Sequence, residues 1–171
     1  MKKSALDAGY EITEINRVDF EQGELALPDS IDAVVFCTGT CPIRPVALTP
    51  DELLAETVRV NCTLFLRLMR QIVAEKRYAG TGMKAVAVSS VSAVEGWPGG
   101  AAYCASKGAL SAMCRAMDAE LSPKGIAVTA LEPRYIKTKM FDMGAGRMGV
   151  DPALAEDPAE FADSVIRLLN A

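Results

Sequence analysis

The chain reads Lys84-Ala-Val-Ala-Val-Ser-Ser90, then Gly96-Trp-Pro-Gly-Gly100, then Tyr103-Cys-Ala-Ser-Lys107. The first segment is a short apolar run, which is typical of a strand buried on both faces of a sheet. Glycine and proline in the second segment predict a tight connection. The third segment opens a helix whose face continues through Leu110, Cys114, Met117 and Leu121. A buried strand, a turn and a helix in this order indicate one unit of an α/β fold.

The same alternation continues on both sides of this segment. Short apolar runs at Ala33–Cys37 and Ile126–Leu131 predict two further buried strands, and the polar–apolar alternation of Glu11–Ile15 predicts another. Helical patterns cover Thr49–Tyr78 and, with proline at its start, Pro158–Leu169. Strands that alternate with long helices predict a parallel sheet with helices on both faces. With 171 residues and no linker or repeat, the chain is predicted to be one domain over residues 1–171.

The composition excludes several classes of function. A net charge of −4 gives no reason to expect nucleic acid or an anionic membrane as a partner. No apolar stretch reaches the roughly 20 residues of a membrane span, and no apolar run of signal length follows Met1, so a cytoplasmic protein is predicted. Histidine is absent, which removes Ser-His-Asp and Cys-His mechanisms. The five cysteines predict reduced thiols rather than disulfides, and no zinc site is expected.

Tyr103 and Lys107 lie four residues apart on the predicted helix, so their side chains share one face. An ammonium beside a phenol favours the phenolate, so Lys107 is expected to lower the pKa of Tyr103 toward neutrality, where general acid–base catalysis is most effective. The other interpretation is structural, with Tyr103 at the edge of the core and the Lys107 ammonium reaching water past it. Ser90, thirteen residues before Tyr103 at the end of the strand, favours the catalytic interpretation.

A strand ending in Ser-Ser, a Gly/Pro loop and Tyr-x-Ala-Ser-Lys resemble the catalytic segment of the short-chain dehydrogenase/reductase family, and the similarity extends from about Ala8 to the C-terminus. The resemblance implies a Rossmann-like α/β fold and a carbonyl–alcohol oxidoreductase that uses a nicotinamide cofactor. It implies that Ser90 polarises the substrate carbonyl, that Tyr103 delivers or removes the hydroxyl proton, and that Lys107 lowers the tyrosine pKa and holds the nicotinamide ribose. Asn61, in the preceding long helix, matches the asparagine that positions a water in the proton path; a buried amide bonded to the backbone is the alternative.

The resemblance also implies a nucleotide site. Arg17 follows the first predicted strand, where an arginine suits the 2′-phosphate of NADP, so NADP is favoured over NAD; an ordinary exposed arginine is the alternative. Asp19 matches the acidic residue whose loop contacts the adenine ring, and Phe20 beside it is assigned to the same site. The other residues implied to bind the cofactor are the strand-end segment Cys37, Thr38 and Gly39, the pair Tyr103 and Lys107, and the later segment Pro133, Ile136 and Thr138.

The chain departs from the family pattern in its phosphate-binding turn. The family opens with a strand and a Thr-Gly-x-x-x-Gly-x-Gly turn, and no such sequence precedes Glu11. The Gly-x-Gly-x-x-Gly at Gly144–Gly149 follows no strand, and we assign it to a substrate lid. Cys37-Thr38-Gly39 replaces the usual Asn-Ala-Gly, and Arg134 replaces the usual glycine after Pro133. The expected sheet is therefore abbreviated at the N-terminus and at the C-terminus.

These observations support three hypotheses. The first is an oxidoreductase acting on a small-molecule carbonyl or alcohol, with Trp97 and the Phe141–Gly149 lid lining the pocket. The second is a non-catalytic fragment or pseudoenzyme with impaired cofactor binding. The third is an oligomerising protein whose helices at Thr49–Tyr78 and Ala102–Leu121 form the interface. The family resemblance implies a homodimer or homotetramer, and such an assembly is compatible with catalysis.

Overall fold

The three predicted apolar strands form a parallel sheet. The structure, a computed structural model, describes residues 1–80 and 82–171, apart from the side chains of 145–148. Over these residues the strands are β1 (Ala33–Phe36), β2 (Met83–Val88) and β3 (Ile126–Leu131). The α-helices of the same residues are α1 (Lys2–Asp7), α2 (Asp51–Val58), α3 (Leu64–Ala74), α4 (Ala101–Leu121), α5 (Lys139–Met148) and α6 (Pro158–Asn170).

The sheet has the strand order β1-β2-β3, and both pairings are parallel. The register aligns Val34 with Ala85, and Ala85 with Val128. Because side chains alternate along a strand, these three residues lie on one face of the sheet. Val86 projects from the opposite face and is only 1% exposed, so that face is covered at β2, whereas its β3 neighbour Thr129 is exposed. The prediction of a Rossmann-like parallel sheet with helices is confirmed.

The hydrophobic core joins one face of the sheet to α3 and α4. Phe65 of α3 is fully buried, and its ring centroid lies 5.2 Å from that of Phe36 on β1. Leu110 of α4 is also fully buried in the same cluster. The apolar stripe read from the sequence is therefore the surface that fixes α4 against the strands, and it sets the position of every polar side chain at the start of that helix.

The chain divides into two compact units, one of residues 15–132 and one that combines residues 1–14 with 133–171. The first unit holds the sheet with α2, α3 and α4. The second holds α1, α5 and α6. The expectation of one domain over residues 1–171 stays a prediction.

Within the second unit, α1 packs against α6, and the Tyr10 hydroxyl donates a hydrogen bond to Asn170 at 2.5 Å. The carboxylate of Asp157 caps α6 by accepting the Ala159 N–H at 2.7 Å, with Pro158 in the first turn as the sequence predicts. Gly144 lies inside α5, so the Gly144–Gly149 motif does not open a phosphate-binding turn after a strand. No helix among the described residues is long and apolar enough to span a bilayer.

The strand predicted at Glu11–Ile15 is wrong, because these residues form no strand. Polar–apolar alternation gives a segment two distinct faces, but a strand also needs a neighbour that pairs with its backbone N–H and C=O groups. In the described part of the chain β1 is an edge strand and pairs with β2 alone. Ile15 still packs against the core, so an apolar side chain of this segment is partly buried although its backbone pairs with none of the described strands.

The helix predicted over Thr49–Tyr78 is shorter and is interrupted. It starts at Asp51, and a π-helical turn over Arg59–Thr63 joins α2 to α3. It ends at Ala74 because Lys76 adopts a left-handed φ of 55°. The N–H groups of the two residues after the cap, Lys76 and Arg77, return to the last-turn carbonyls at 3.3 and 2.9 Å, which is a Schellman stop made without glycine.

Candidate active site

Ser90 lies just beyond the end of β2, where a parallel sheet presents side chains to a ligand. Its backbone is extended, and its Oγ caps the short 3₁₀ turn Val91–Ala93 by accepting the Ser92 N–H at 3.1 Å. Ser90 is only 5% exposed. The capping bond fixes the Oγ position and leaves the hydroxyl hydrogen available for donation.

A second serine joins the end of β2 to α4. Ser89 donates from its Oγ to the backbone carbonyl of Lys107 at 3.1 Å, and accepts a hydrogen bond from Ser111 Oγ at 2.8 Å. All three residues are buried. These bonds hold the Tyr103–Lys107 turn of α4 in register with the strand end that carries Ser90.

Lys107 is a buried cation, 5% exposed. Its Nζ donates to the Val88 carbonyl at 2.8 Å and lies 5.8 Å from the centroid of the Tyr103 ring. Burial lowers the pKa of Lys107 to about 8, against a smaller opposing effect of the thiols of Cys41 and Cys37. The predicted sharing of one helix face by Tyr103 and Lys107 is therefore observed, and the alternative in which the ammonium reaches water is not.

The predicted direction of the Tyr103 pKa is wrong in this structure. Burial, with a further contribution from Cys41, raises the pKa of the phenol to about 12. Hydrogen bonding by Ser90 lowers that pKa, but by less than burial raises it. The sequence shows the charge of Lys107 but not the burial of the phenol. Burial removes water from around the phenol, and this loss disfavours the phenolate. Tyr103 is a protonated phenol at neutral pH.

Asn61 lies in the π-helical turn and is fully buried. Its Oδ1 accepts the Thr40 N–H at 2.7 Å, while its Nδ2 donates to the Thr40 carbonyl at 2.9 Å and to Ser106 Oγ at 2.8 Å. The amide thus clasps the loop after β1 and ties it to α4. The predicted buried amide bonded to backbone is observed, and the proposed role in positioning a water stays a prediction.

We expect Asn61→Ala to lower the free energy of unfolding by about 2 kcal/mol, because it leaves the half-buried Thr40 N–H and carbonyl without the Asn61 amide. Urea unfolding of both proteins measures the change. Thr63→Ala is the matched control, since Thr63 is exposed on the same turn. Equal midpoints for Asn61→Ala and the parent chain would show that the hydrogen bonds of Asn61 to Thr40 do not stabilise the fold.

The loop after β1 brings Gly39 to the same place. A Cβ on Gly39 would lie 3.4 Å from Asn61 Oδ1 and 3.7 Å from Lys107 Nζ. Three of the residues predicted for the site therefore meet here. Cys37 and Thr38 directly precede Gly39 in this loop; Cys37 is exposed and Thr38 is half-buried.

Sequence reasoning missed several side chains of this site. Cys41 and Cys104 both act on the Tyr103 phenol electrostatically, and burial raises the pKa of the Cys41 thiol to about 11. Ser106 joins Asn61 to the Tyr103 carbonyl by donating to it at 2.7 Å. Of these residues, only Ser106 could have been identified from the sequence, because it is the serine of the Tyr-x-Ala-Ser-Lys motif. The sequence predicted reduced thiols without a role at the site; Cys62 and Cys114 are buried, whereas Cys41 and Cys104 are half-buried and Cys37 is exposed.

The residues predicted to recognise the adenine half of the cofactor have other partners in the structure. The Arg17 guanidinium binds the Glu56 carboxylate, which Arg59 also holds at 2.6 Å. The Asp19 carboxylate accepts the Asn16 N–H at 2.5 Å. Phe20 is 3% exposed and belongs to the core, so its side chain is not available to a ligand.

The later cofactor segment belongs to the other unit. Ile136 forms a single parallel bridge with Glu156, and the Thr138 hydroxyl accepts the Phe141 N–H at 3.3 Å at the start of α5. Phe141, predicted as part of the lid, is buried and lies 5.7 Å from the ring of Tyr135. The lid side chains of 145–148 lie outside the described residues. The assignment of Pro133, Ile136 and Thr138 to the cofactor stays a prediction.

Comparison with curated proteins gives relatives along most of the chain. Cyclopentanol dehydrogenase of Comamonas sp. strain NCIMB 9872 is 31% identical over 154 residues, which cover 85% of this chain and 61% of that protein. The 3-oxoacyl-acyl-carrier-protein reductase of Rickettsia prowazekii is 28% identical over 145 residues, 81% of this chain and 58% of that protein. The chain spans about three fifths of the length of these relatives.

Solved structures have the same fold. A short chain dehydrogenase from Burkholderia cenocepacia in complex with NADP aligns with a TM-score of 0.69 at 26% identity, over 82% of this chain and 56% of its own. A 3-oxoacyl reductase from Brucella melitensis in complex with NAD aligns at 0.72 and 22% identity, over 82% and 60%, and shows the fold alone. The family model described as short chain dehydrogenase matches residues 18–145, which include the Ser90, Tyr103 and Lys107 cluster. With most of its length matched by that model and its sheet by those structures, the chain belongs to the short-chain dehydrogenase family.

Proposed function

We propose that the chain is an NAD(P)(H)-dependent oxidoreductase that interconverts a ketone or aldehyde and the corresponding alcohol, with Tyr103 as the acid and base. One observation carries this proposal. The hydroxyls of Ser90 and Tyr103 are neighbours, and the buried ammonium of Lys107 lies against the Tyr103 ring. Two hydroxyl donors beside a buried cation suit a carbonyl oxygen that gains negative charge during reduction.

In the reduction direction Ser90 and Tyr103 have different roles. Ser90 Oγ accepts the Ser92 N–H, so its own hydrogen can be donated, to the Tyr103 oxygen or, when substrate is bound, to the substrate carbonyl. Tyr103 is protonated at neutral pH because its pKa is raised to about 12, so it can transfer its proton to the same oxygen as the alcohol forms. In the oxidation direction the phenolate of Tyr103 takes the proton of the alcohol, so Tyr103 must first release its own proton. The nicotinamide, when bound, supplies or accepts the hydride.

The residues around Lys107 fit the ribose of a nicotinamide cofactor. An ammonium has three N–H donors, and over the described residues one of them is taken by the Val88 carbonyl. Ribose hydroxyls can accept the others. Gly39 lies beside Lys107 Nζ and has no side chain, so a ligand can approach the backbone of the loop after β1 closely. Cys37, Thr38 and Gly39 would line that approach.

We propose NADP rather than NAD as the cofactor. Support comes from Arg17, whose guanidinium suits a 2′-phosphate. In the structure Glu56 binds that guanidinium and a Glu21 carboxylate oxygen lies 3.9 Å from it, so a 2′-phosphate has to compete with two carboxylates. Arg59, bound to the same carboxylate, can keep Glu56 paired when Arg17 turns to the ligand.

The proposed substrates are small carbonyl compounds and secondary alcohols. The names of the two relatives suggest the first compounds to assay, a cyclic alcohol with its ketone and a 3-oxoacyl thioester. We also propose a reducing cytoplasmic location, because the five cysteines are free thiols. A homodimer or homotetramer through the exposed faces of α2, α3 and α4 is proposed with it, and a strictly monomeric species in solution would contradict that assembly.

Calorimetric titration of the purified chain with NADPH and then NADH tests the proposal. We expect micromolar binding, tighter for NADPH, and loss of that preference in Arg17→Ala. Arg115→Ala is the control, because Arg115 is an exposed arginine far along α4 from the site. If neither nucleotide binds, the hypothesis of a non-catalytic fragment or pseudoenzyme replaces this one.

A further inference from the structure

We propose that Trp97 is a positioning residue that holds Ser90 and Tyr103 in their mutual geometry, acting on Ser90 through Ser92 and on Tyr103 through a ring contact. The proposal rests on the oxidoreductase function proposed above. The position of Trp97 in the sequence suggested that it lines a substrate pocket. The role proposed here is a different one.

The first link joins Trp97 to Ser92. The indole Nε1–H donates to Ser92 Oγ at 3.1 Å. Ser92 is 8% exposed, so this bond is made where water does not compete freely for the hydroxyl. Because the indole N–H is only a donor, the bond leaves the Ser92 hydroxyl in one orientation about its Cβ.

The second link joins Ser92 to Ser90. The backbone N–H of Ser92 donates to Ser90 Oγ at 3.1 Å and caps the 3₁₀ turn Val91–Ala93. Anchoring Ser92 by its side chain therefore also anchors the N–H that holds the Ser90 oxygen. The Ser90 oxygen is thereby held in place, while its hydroxyl hydrogen can still turn toward an acceptor.

The third link joins Trp97 to α4. A Cβ on Gly100 would lie 2.6 Å from Cε2 of the indole, so the ring lies flat on the first residue before the helix. Its centroid lies 6.3 Å from that of Tyr103, with an interplanar angle of 51°. This is an ordinary separation for a tilted aromatic pair, and it limits rotation of the Tyr103 ring.

The three links connect the two ends of the loop that runs from Ser90 to α4. Gly96, Pro98 and Gly99 surround Trp97, and Gly99 has a φ of 82°, so the connection from Ser90 to α4 has little side-chain packing of its own. One rigid side chain with two rotatable bonds contacts both ends of that loop. The Ser89 bonds set the register of α4 against the strand end, and Trp97 adds a second constraint on the distance between the Ser90 and Tyr103 hydroxyls. An error of a fraction of an ångström in that distance lowers the rate without preventing cofactor binding.

The test uses the fact that Trp97 is the one tryptophan of the sequence. Trp97→Phe keeps a ring on Gly100 and removes the N–H donor, while Ser92→Ala removes the acceptor from the other side. Val94→Ala is the control, because Val94 is 77% exposed in the same loop. Backbone amide exchange at Ser92 and the single indole N–H resonance are measured by NMR, and kcat and the KM for NADPH are measured by steady-state kinetics.

We expect amide exchange at Ser92 to accelerate about tenfold in Trp97→Phe, and kcat to fall about tenfold while the KM for NADPH is unchanged. Ser92→Ala should lower kcat similarly and expose the indole N–H to exchange, with Val94→Ala like the parent. Unchanged exchange at Ser92 in Trp97→Phe, or faster exchange with unchanged kcat, would overturn the proposal. A parent chain without turnover would instead refute the proposed function, since the exchange measurement tests the links themselves without needing activity.

Discussion

Replacing Tyr103 by phenylalanine is expected to lower kcat by about a thousandfold, within the range of 10² to 10⁴ that general acid–base groups contribute. The substitution removes one oxygen from a half-buried ring, and the ring keeps its contacts with Trp97 and Lys107. Folding and cofactor binding should therefore change little. The KM for NADPH and the thermal midpoint are expected to stay close to those of the parent chain.

Steady-state kinetics with NADPH and a cyclic ketone measure this effect. Tyr78→Phe is the matched control, because Tyr78 is half-buried in the same unit and contacts the sheet through a backbone bridge with Ile31. Turnover by Tyr103→Phe equal to that of Tyr78→Phe would remove Tyr103 from the mechanism. Since the phenol pKa is about 12, the rate of reduction should not fall through loss of the Tyr103 proton anywhere between pH 6 and pH 10.

The apolar runs at Ala33–Cys37, Lys84–Val88 and Ile126–Leu131 were sufficient to predict the three strands. Burial on both faces was predicted correctly for β2, but Ala127 and Thr129 of β3 are exposed. Glu11–Ile15 was mispredicted because pairing depends on a neighbour, which no local pattern records. The π-helical turn at Arg59–Thr63 was not predicted either.

The clustering of Asn61, Ser90, Tyr103 and Lys107 was predictable in part. The helical spacing placed Tyr103 and Lys107 on one face, and the family resemblance added the other two. The electrostatics of the cluster were not predictable, because a pKa depends on burial in the folded chain as much as on neighbouring charge. Burial changed the expected direction for Tyr103 and made Lys107 a weaker base than an exposed lysine.

That burial of Lys107 leads to the second large effect. Lys107→Met is expected to raise the free energy of unfolding at pH 7 by about 2 kcal/mol while it lowers turnover by a hundredfold or more. Burial lowers the pKa of Lys107 from 10.5 to about 8, and a shift of that size corresponds to roughly 3 kcal/mol of destabilisation while the ammonium is charged. The methionine removes the charge but leaves the Val88 carbonyl without its donor, which offsets about 1 kcal/mol of the gain.

The pH dependence of this difference follows from the same shift. Below pH 8 both the folded and the unfolded chain carry the Lys107 charge, so the destabilisation is fully present. Between pH 8 and 10.5 the unfolded chain holds a proton that the folded chain has released, so the parent becomes more stable relative to the variant as pH rises. The advantage of Lys107→Met should therefore be constant below pH 8 and vanish near pH 10. Lys124→Met, at an exposed position, should show no such change.

Urea unfolding of the three proteins from pH 7 to pH 10.5 measures the effect, and kinetics over the same range test its functional counterpart. If the charge of Lys107 assists reduction, the kcat of the parent chain should fall as pH rises through about 8, where the ammonium is lost. A buried ammonium that destabilises the fold is retained only if something at the site uses the charge. If Lys107→Met is more stable at neutral pH and turns over like the parent, the lysine has no such use. The Lys107 ammonium would then have no part in the proposed reaction.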